Sequence, residues 1–161
     1  MNNQKNIVLC GVGGQGTVLA SKLLAAAAMS KDIPVMSAET IGMAQRGGSV
    51  FSHLRMGDNL YSPMIETGTA DLIIGFEPGE TVRMLPYLKD HGHIVVSTRA
   101  VKPVTATLSG SDYDAPQMLE YLKADSCKCR SGMCRHWFFQ STEHGASWRS
   151  HTDRSTGLYN L

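Results

Sequence analysis

Six residues near the N-terminus constrain the fold more than anything else in the chain: the run GVGGQG at Gly11–Gly16. It follows directly on a short apolar stretch, Asn6–Cys10. It precedes Thr17–Lys31, which is rich in alanine and leucine and has no internal glycine or proline. That order reads as strand, tight turn and buried helix. Glycines at such a junction allow a sharp turn and a close backbone approach to phosphate oxygens, and the free amides at the start of a helix favour an anion. The candidate cofactor-binding residues are therefore Gly11, Gly13, Gly14, Gln15, Gly16 and Thr17. The competing reading is that the glycines only let helix and strand pack closely.

The following segments alternate in type. Pro34–Ala38 reads as a strand, and Ser49–Met56 as a second one with Phe51, His53 and Arg55 on one face and Val50, Ser52 and Leu54 on the other. The turn residues Gly57, Asp58 and Asn59 suggest that Leu60–Ser62 folds back on it as a hairpin, with Pro63 placing that arm at an edge or outside the sheet. Further strands are expected at Asp71–Phe76, His93–Thr98 and Val104–Leu108. A helix is expected over Pro78–Lys89, which Pro86 should kink or shorten, and another after Asp114. The fold class is α/β: a Rossmann-like, mostly parallel sheet with flanking helices, its C-terminal part atypical or truncated.

A nicotinamide site would need a carboxylate about 20 residues beyond the glycines for the ribose hydroxyls. Glu39 lies in that region, but a glycine-bearing connection follows it instead of a second long helix, which weighs against a dinucleotide site. Glu77 and Glu80 invite an acid–base reading. Carboxylates at a helix start are stabilised by the helix amides, and that is the preferred account. A net charge of +1 gives no global field for nucleic acid. The longest apolar run, Val18–Met29, is too short to span a bilayer, and no signal-like core follows Met1, so a cytoplasmic location is expected.

Residues 38–55, with the sequence AETIGMAQRGGSVFSHLR, together with Tyr61–Ile65, Ala70–Glu77 and the glycine run, give a specific resemblance. The chain resembles the gamma-type domain of the 2-oxoacid:ferredoxin oxidoreductases, and within them the small (beta) subunits of the indolepyruvate enzymes, from about Asn6 to about Asp125. The resemblance implies oxidative decarboxylation of an aryl pyruvate or related 2-oxoacid to an acyl-coenzyme A, with electrons passed to ferredoxin. It further implies that thiamine diphosphate, Mg and 4Fe-4S clusters sit on a large (alpha) partner subunit, with coenzyme A as cosubstrate. Independently, residues 1–125 hold only Cys10, and a cluster needs grouped thiolates. No catalytic residue and no metal are assigned to this chain, and it is expected to be inert alone.

Under the same resemblance Glu39, Gln45, Arg46, Gly47, Gly48, Ser49 and His53 form a loop toward substrate or partner. The Arg46 guanidinium and the two glycine amides suit an anion. On residue chemistry alone a solvated turn explains Gln45–Gly48 equally well, and a structural role for His53 comes first. The alternative function is a free-standing nucleotide- or coenzyme-binding module without catalysis.

Beyond Asp125 the composition changes. Residues 126–161 contain no valine or isoleucine, hold both tryptophans and three of the four cysteines, and are net basic. Cys127, Cys129, Cys134 and His136 offer soft ligands, but the spacing lacks the C-x2-C knuckle of common zinc modules. The preferred reading is an atypical tail outside the domain, disordered or frame-shifted.

Overall fold

The computed structural model describes residues 4–40, 47–102, 107, 113–125, 136–142 and 145–151. Its elements in order are β1 (Lys5–Val12), α1 (Thr17–Met29), β2 (Val35–Glu39), β3 (Ser49–Met56), β4 (Ala70–Gly75), α2 (Pro78–Met84), a 3-10 turn (Leu85–Tyr87), β5 (Leu88–Ser97), α3 (Ala115–Asp125), β6 (His136–Thr142) and β7 (Gly145–His151). The strands form one sheet in the order β2-β3-β1-β4-β5-β6-β7.

β1, β4, β5 and β6 pair parallel, and β3 lies antiparallel between β1 and β2. β2 therefore points the same way as β1, and the sheet is mostly parallel with β3 and β7 reversed. Alternation along each strand splits the core. Ile7, Leu9 and Leu54 face α1, meeting Ala20, Leu24 and Ala25. Val8, Cys10, Ile73, Ile94 and Val96 face the other side, with Met84 of α2 and Leu122 of α3. α1 and α2 thus leave the sheet on opposite faces, and the point where the winding reverses lies between β1 and β4. In open α/β sheets the crevice at such a point, beyond the carboxyl ends of the strands, is where ligands bind.

Three expectations need correction. The Leu60–Ser62 arm is no strand, because β2 and β1 occupy both sides of β3 and leave it no free edge. α2 stops at Met84, where the Leu85–Tyr87 turn containing Pro86 replaces its continuation, so Lys89 belongs to β5 and not to a helix end. The tail, expected to lack regular structure, contributes two strands of backbone: β6 pairs along Ile94–Ser97, and β7 pairs on β6. The outer edge of β5 presents unpaired backbone groups that need no particular side chain to recruit a strand, and Trp137, Phe138 and Phe139 have the residue types that strands favour. The expected Val104–Leu108 strand lies outside the described residues apart from Thr107. The expected cap of α3 is present: Asp114 Oδ1 accepts from Gln117 N at 3.1 Å.

Candidate functional site

β1 ends at Val12 and α1 begins at Thr17, so the chain must reverse within four residues. Gly14 (φ +100°) and Gly16 (φ +86°) supply the left-handed conformations that make this possible; Gly13 is not among them. Gly11 serves packing. A Cβ there would lie 2.8 Å from Gln15 Oε1 and 2.9 Å from Phe76 Cβ. Gln15 is a strut: its Oε1 accepts from Val12 N at 2.7 Å and its Nε2 donates to Phe76 O at 3.2 Å. Gly16 is the N-cap of α1 with no capping side chain, and the first turn holds no acid. The amides and positive end of α1 therefore remain available to an anion.

A cleft of about 340 Å³ opens there, lined by Val12, Gly13, Gly14, Gly16, Thr17, Val18 and Val50. Thr17 is 3% exposed, and its Oγ1 has no hydrogen-bond partner among the described residues. Buried hydroxyls are normally paired, so this one is a polar group for which the described residues supply no partner.

The second candidate segment reaches the first. Gly13 N donates to Gly48 O at 2.8 Å and Gly47 N donates to Gly13 O at 3.2 Å, extending the β1–β3 ladder past the Val12–Ser49 pair. Gly47 takes a positive φ of 73° to do so. Gln45 and Arg46 lie outside the described residues. Glu39 ends β2 opposite Ser52, two strands from β1 and so about 10 Å away. The interposed β3 is what keeps this carboxylate from the position a dinucleotide site needs beside β1.

His53 is not at the cleft. It pairs with Val8, four residues below Val12 and about 13 Å along the strand. It is 1% exposed, Nδ1 accepts from Ile65 N at 2.9 Å, and its ring lies 5.4 Å from Phe51 and 5.3 Å from Tyr87, centroid to centroid. Burial lowers its pKa, which keeps it neutral.

Beneath the cleft, on the α2 face, sit groups whose partners a sequence cannot show. Glu77 is the N-cap of α2: Oε2 accepts from Glu80 N at 2.8 Å, and Oε1 accepts from Tyr113 Oη. Burial raises its pKa, opposed by the Glu80 and Gly79 amides. Glu80, 2% exposed, accepts from Ser49 Oγ and pairs with Arg83 at 3.3 Å. Cys10 lies 4.0 Å from Thr81 Oγ1, and burial pushes its thiol up to about 12, so it stays protonated. The E-x-x-E spacing after a strand was the available signal for the cap. Nothing local points from Glu80 to Ser49. Among the described residues no cluster of His, Cys, Asp or Glu could hold a metal ion, and no helix is long and apolar enough to cross a membrane.

Residues 6–129 match the family described as Pyruvate ferredoxin/flavodoxin oxidoreductase. The chain is 42% identical over 108 residues to indolepyruvate oxidoreductase subunit IorB of Methanothermobacter thermautotrophicus, covering 67% of this chain and 55% of that protein. It is 44% identical over 108 residues to the subunit of the same name from Archaeoglobus fulgidus, covering 67% and 53%. The chain thus spans about half the length of the curated relatives it matches. Among solved structures, the gamma subunit of a keto/oxoacid ferredoxin oxidoreductase from Geobacter sulfurreducens aligns with TM-score 0.50 at 25% identity, over 62% of this chain and 53% of that one. A 2-oxoglutarate:ferredoxin oxidoreductase from Magnetococcus marinus, with 2-oxoglutarate, coenzyme A and succinyl-CoA bound, shares the fold with TM-score 0.52 at 20% identity, over 69% of this chain and 17% of that one.

Proposed function

The chain belongs to the pyruvate ferredoxin/flavodoxin oxidoreductase family, and from that premise we propose that it is the small subunit of an indolepyruvate ferredoxin oxidoreductase. The observation that carries this reading is the 42% identity to an indolepyruvate oxidoreductase subunit over two thirds of the chain. In the proposed reaction an aryl pyruvate loses carbon dioxide, its acyl group passes to the thiol of coenzyme A, and ferredoxin takes the electrons. Thiamine diphosphate with Mg would supply the decarboxylation chemistry, and 4Fe-4S clusters the electron path, both on the large subunit. The described residues here do not fit a cluster, since Cys10 is a buried thiol held protonated.

What this chain's residues do is bind. The cleft walled by Gly13, Gly14, Gly16 and Thr17 receives a phosphate of coenzyme A: the start of α1 supplies charge and amides, Thr17 a hydroxyl, and Gly47–Gly48 hold the loop in place. The family domain ends near Asp125, and residues 126–161 are a tail beyond it whose strands β6 and β7 add to the edge of its sheet; the family match ending at residue 129 supports that boundary. Co-expression with the large chain tests the assignment. Turnover of indolepyruvate with ferredoxin and coenzyme A is expected from the co-purified complex and not from the small chain alone. Turnover by the lone chain, or failure of the two chains to co-purify, overturns it.

A further inference from the structure

The cleft at the glycine loop is held from two sides, and both holds lead to the first turn of α2. On the β4 side, Phe76 N donates to Cys10 O at 2.8 Å and Phe76 O accepts from Gln15 Nε2; Glu77 follows as the N-cap of α2. On the β3 side, Gly48 O and Gly47 N pair with Gly13, and the next residue, Ser49, donates its hydroxyl to Glu80 Oε2. Glu80 stands three residues after the cap. From there a glutamate ordinarily reaches back to the cap's own amide, an inexpensive contact close to solvent. Here both carboxylate oxygens are committed elsewhere, Oε2 to Ser49, 31 residues away in sequence, and Oε1 to Arg83. The residue is 2% exposed. Burying a carboxylate is costly unless it is well paired, and a cap alone does not require it.

The geometry points to Glu80 as a positioning residue: through Ser49 it fixes Gly47–Gly48, and through them Gly13, in the arrangement that shapes the anion cleft. This deepens the coenzyme reading and rests on it. Glu80 itself touches no ligand. It sets where the Gly13 segment stands relative to the start of α1, and a shift of a few tenths of an ångström there changes affinity more than it changes folding.

The test uses the complex reconstituted with the large subunit and reads the KM for coenzyme A, kcat and the thermal midpoint. Ser49→Ala and Glu80→Ala are each expected to raise that KM about fivefold with kcat within about twofold. Glu80→Gln keeps an amide oxygen for the Ser49 hydroxyl and should stay near the wild-type KM. Gly14→Ala, which strains the loop directly at φ +100°, should also raise it. An unchanged KM in Ser49→Ala alongside a raised one in Gly14→Ala overturns the positioning role and leaves the cleft reading standing. An unchanged KM in Gly14→Ala overturns both. Equal losses in Glu80→Gln and Glu80→Ala overturn the hydrogen bond as the cause, and lowered thermal midpoints with wild-type KM reduce Glu80 to a structural part.

Discussion

Where β1 and β4 begin, Asp71 meets Lys89, Lys5 at 3.7 Å and the amide of Asn6 at 2.8 Å, and the Arg55 guanidinium is spent on Asn6, Ser62, Met64 and Gln4. Where the same strands end, the Thr17 hydroxyl has no partner among the described residues and α1 starts without a capping side chain. Both ends come from one sheet with one alternation of side chains, so the difference does not arise from strand geometry. At the beginning of the strands, charge serves to lock β4 between its neighbours. At their ends the Thr17 hydroxyl and the first amides of α1 are left without a partner among the described residues. Substitutions at the first end should therefore move stability, and substitutions at the second should move binding.

The largest effect probes how far the second end is also a packed one. Thr81 occupies the space beside Gly75 so closely that a Cβ there would lie 1.8 Å from its Oγ1. Gly75→Ala must push α2 off the sheet and should cost about 3 kcal/mol in denaturant unfolding. A cost below about 1 kcal/mol would mean that α2 is loosely seated, and would weaken any role for it in holding the cleft.

Next in size, Asp71→Asn removes the charge that Lys5 and Lys89 meet at the first end; both lysine side chains keep much of their hydration, at 64% and 40% exposed, so stability should fall by about 1 kcal/mol with the KM for coenzyme A in the complex unchanged. A changed KM would break the division between the two ends.

Titration sharpens the contrast because the two carboxylates shift oppositely. Burial raises the Asp71 pKa, but the Lys89 hydrogen bond, the Asn6 amide and the charges of Lys89 and Lys5 outweigh it, and the net shift is downward. Its stabilisation is present above the unfolded value near 3.8 and is lost as pH falls through the lower folded value. Glu77 is raised by burial, so its contribution is full below the unfolded value near 4.5 and declines as pH rises through the folded one. Thermal midpoints should show Asp71→Asn converging on wild type at acid pH. For Glu77→Gln, the stability relative to wild type should improve between pH 4.5 and neutrality. Parallel curves for wild type and both variants would remove the distinction.

Much of this is legible in the amino-acid sequence alone. Glycines between an apolar run and an alanine-rich helix dictate β1, the turn and α1, because only a strand–turn–helix satisfies that composition locally. Pro78 and Glu77 mark the start of α2 for the same reason. The placement of β3 between β1 and β2 is not legible. Its apolar content suits either a hairpin with Leu60–Ser62 or insertion into the sheet, and the choice rests on long-range pairing. That one fact decides the rest of the site: it brings Gly47–Ser49 beside Gly13, moves Glu39 two strands from β1, sinks His53 into the core, and lets Ser49 find Glu80. Side chains whose partners lie tens of residues away carry no local signature.

The smallest effect concerns the outer edge of the sheet. β6 is registered against Ile94, Val95, Val96 and Ser97, along the outer edge of β5. A chain ending after Asp125 loses that backbone pairing on one side of β5. Its stability should change by less than about 1 kcal/mol, since an edge strand bonds to water once its neighbour leaves. What should change is association: the bared edge offers unpaired amides and carbonyls to a second molecule, so light scattering should rise with concentration while coenzyme A binding in the complex stays the same. Loss of cooperative unfolding in the shortened chain would place β6 and β7 inside the domain and move its boundary past His151.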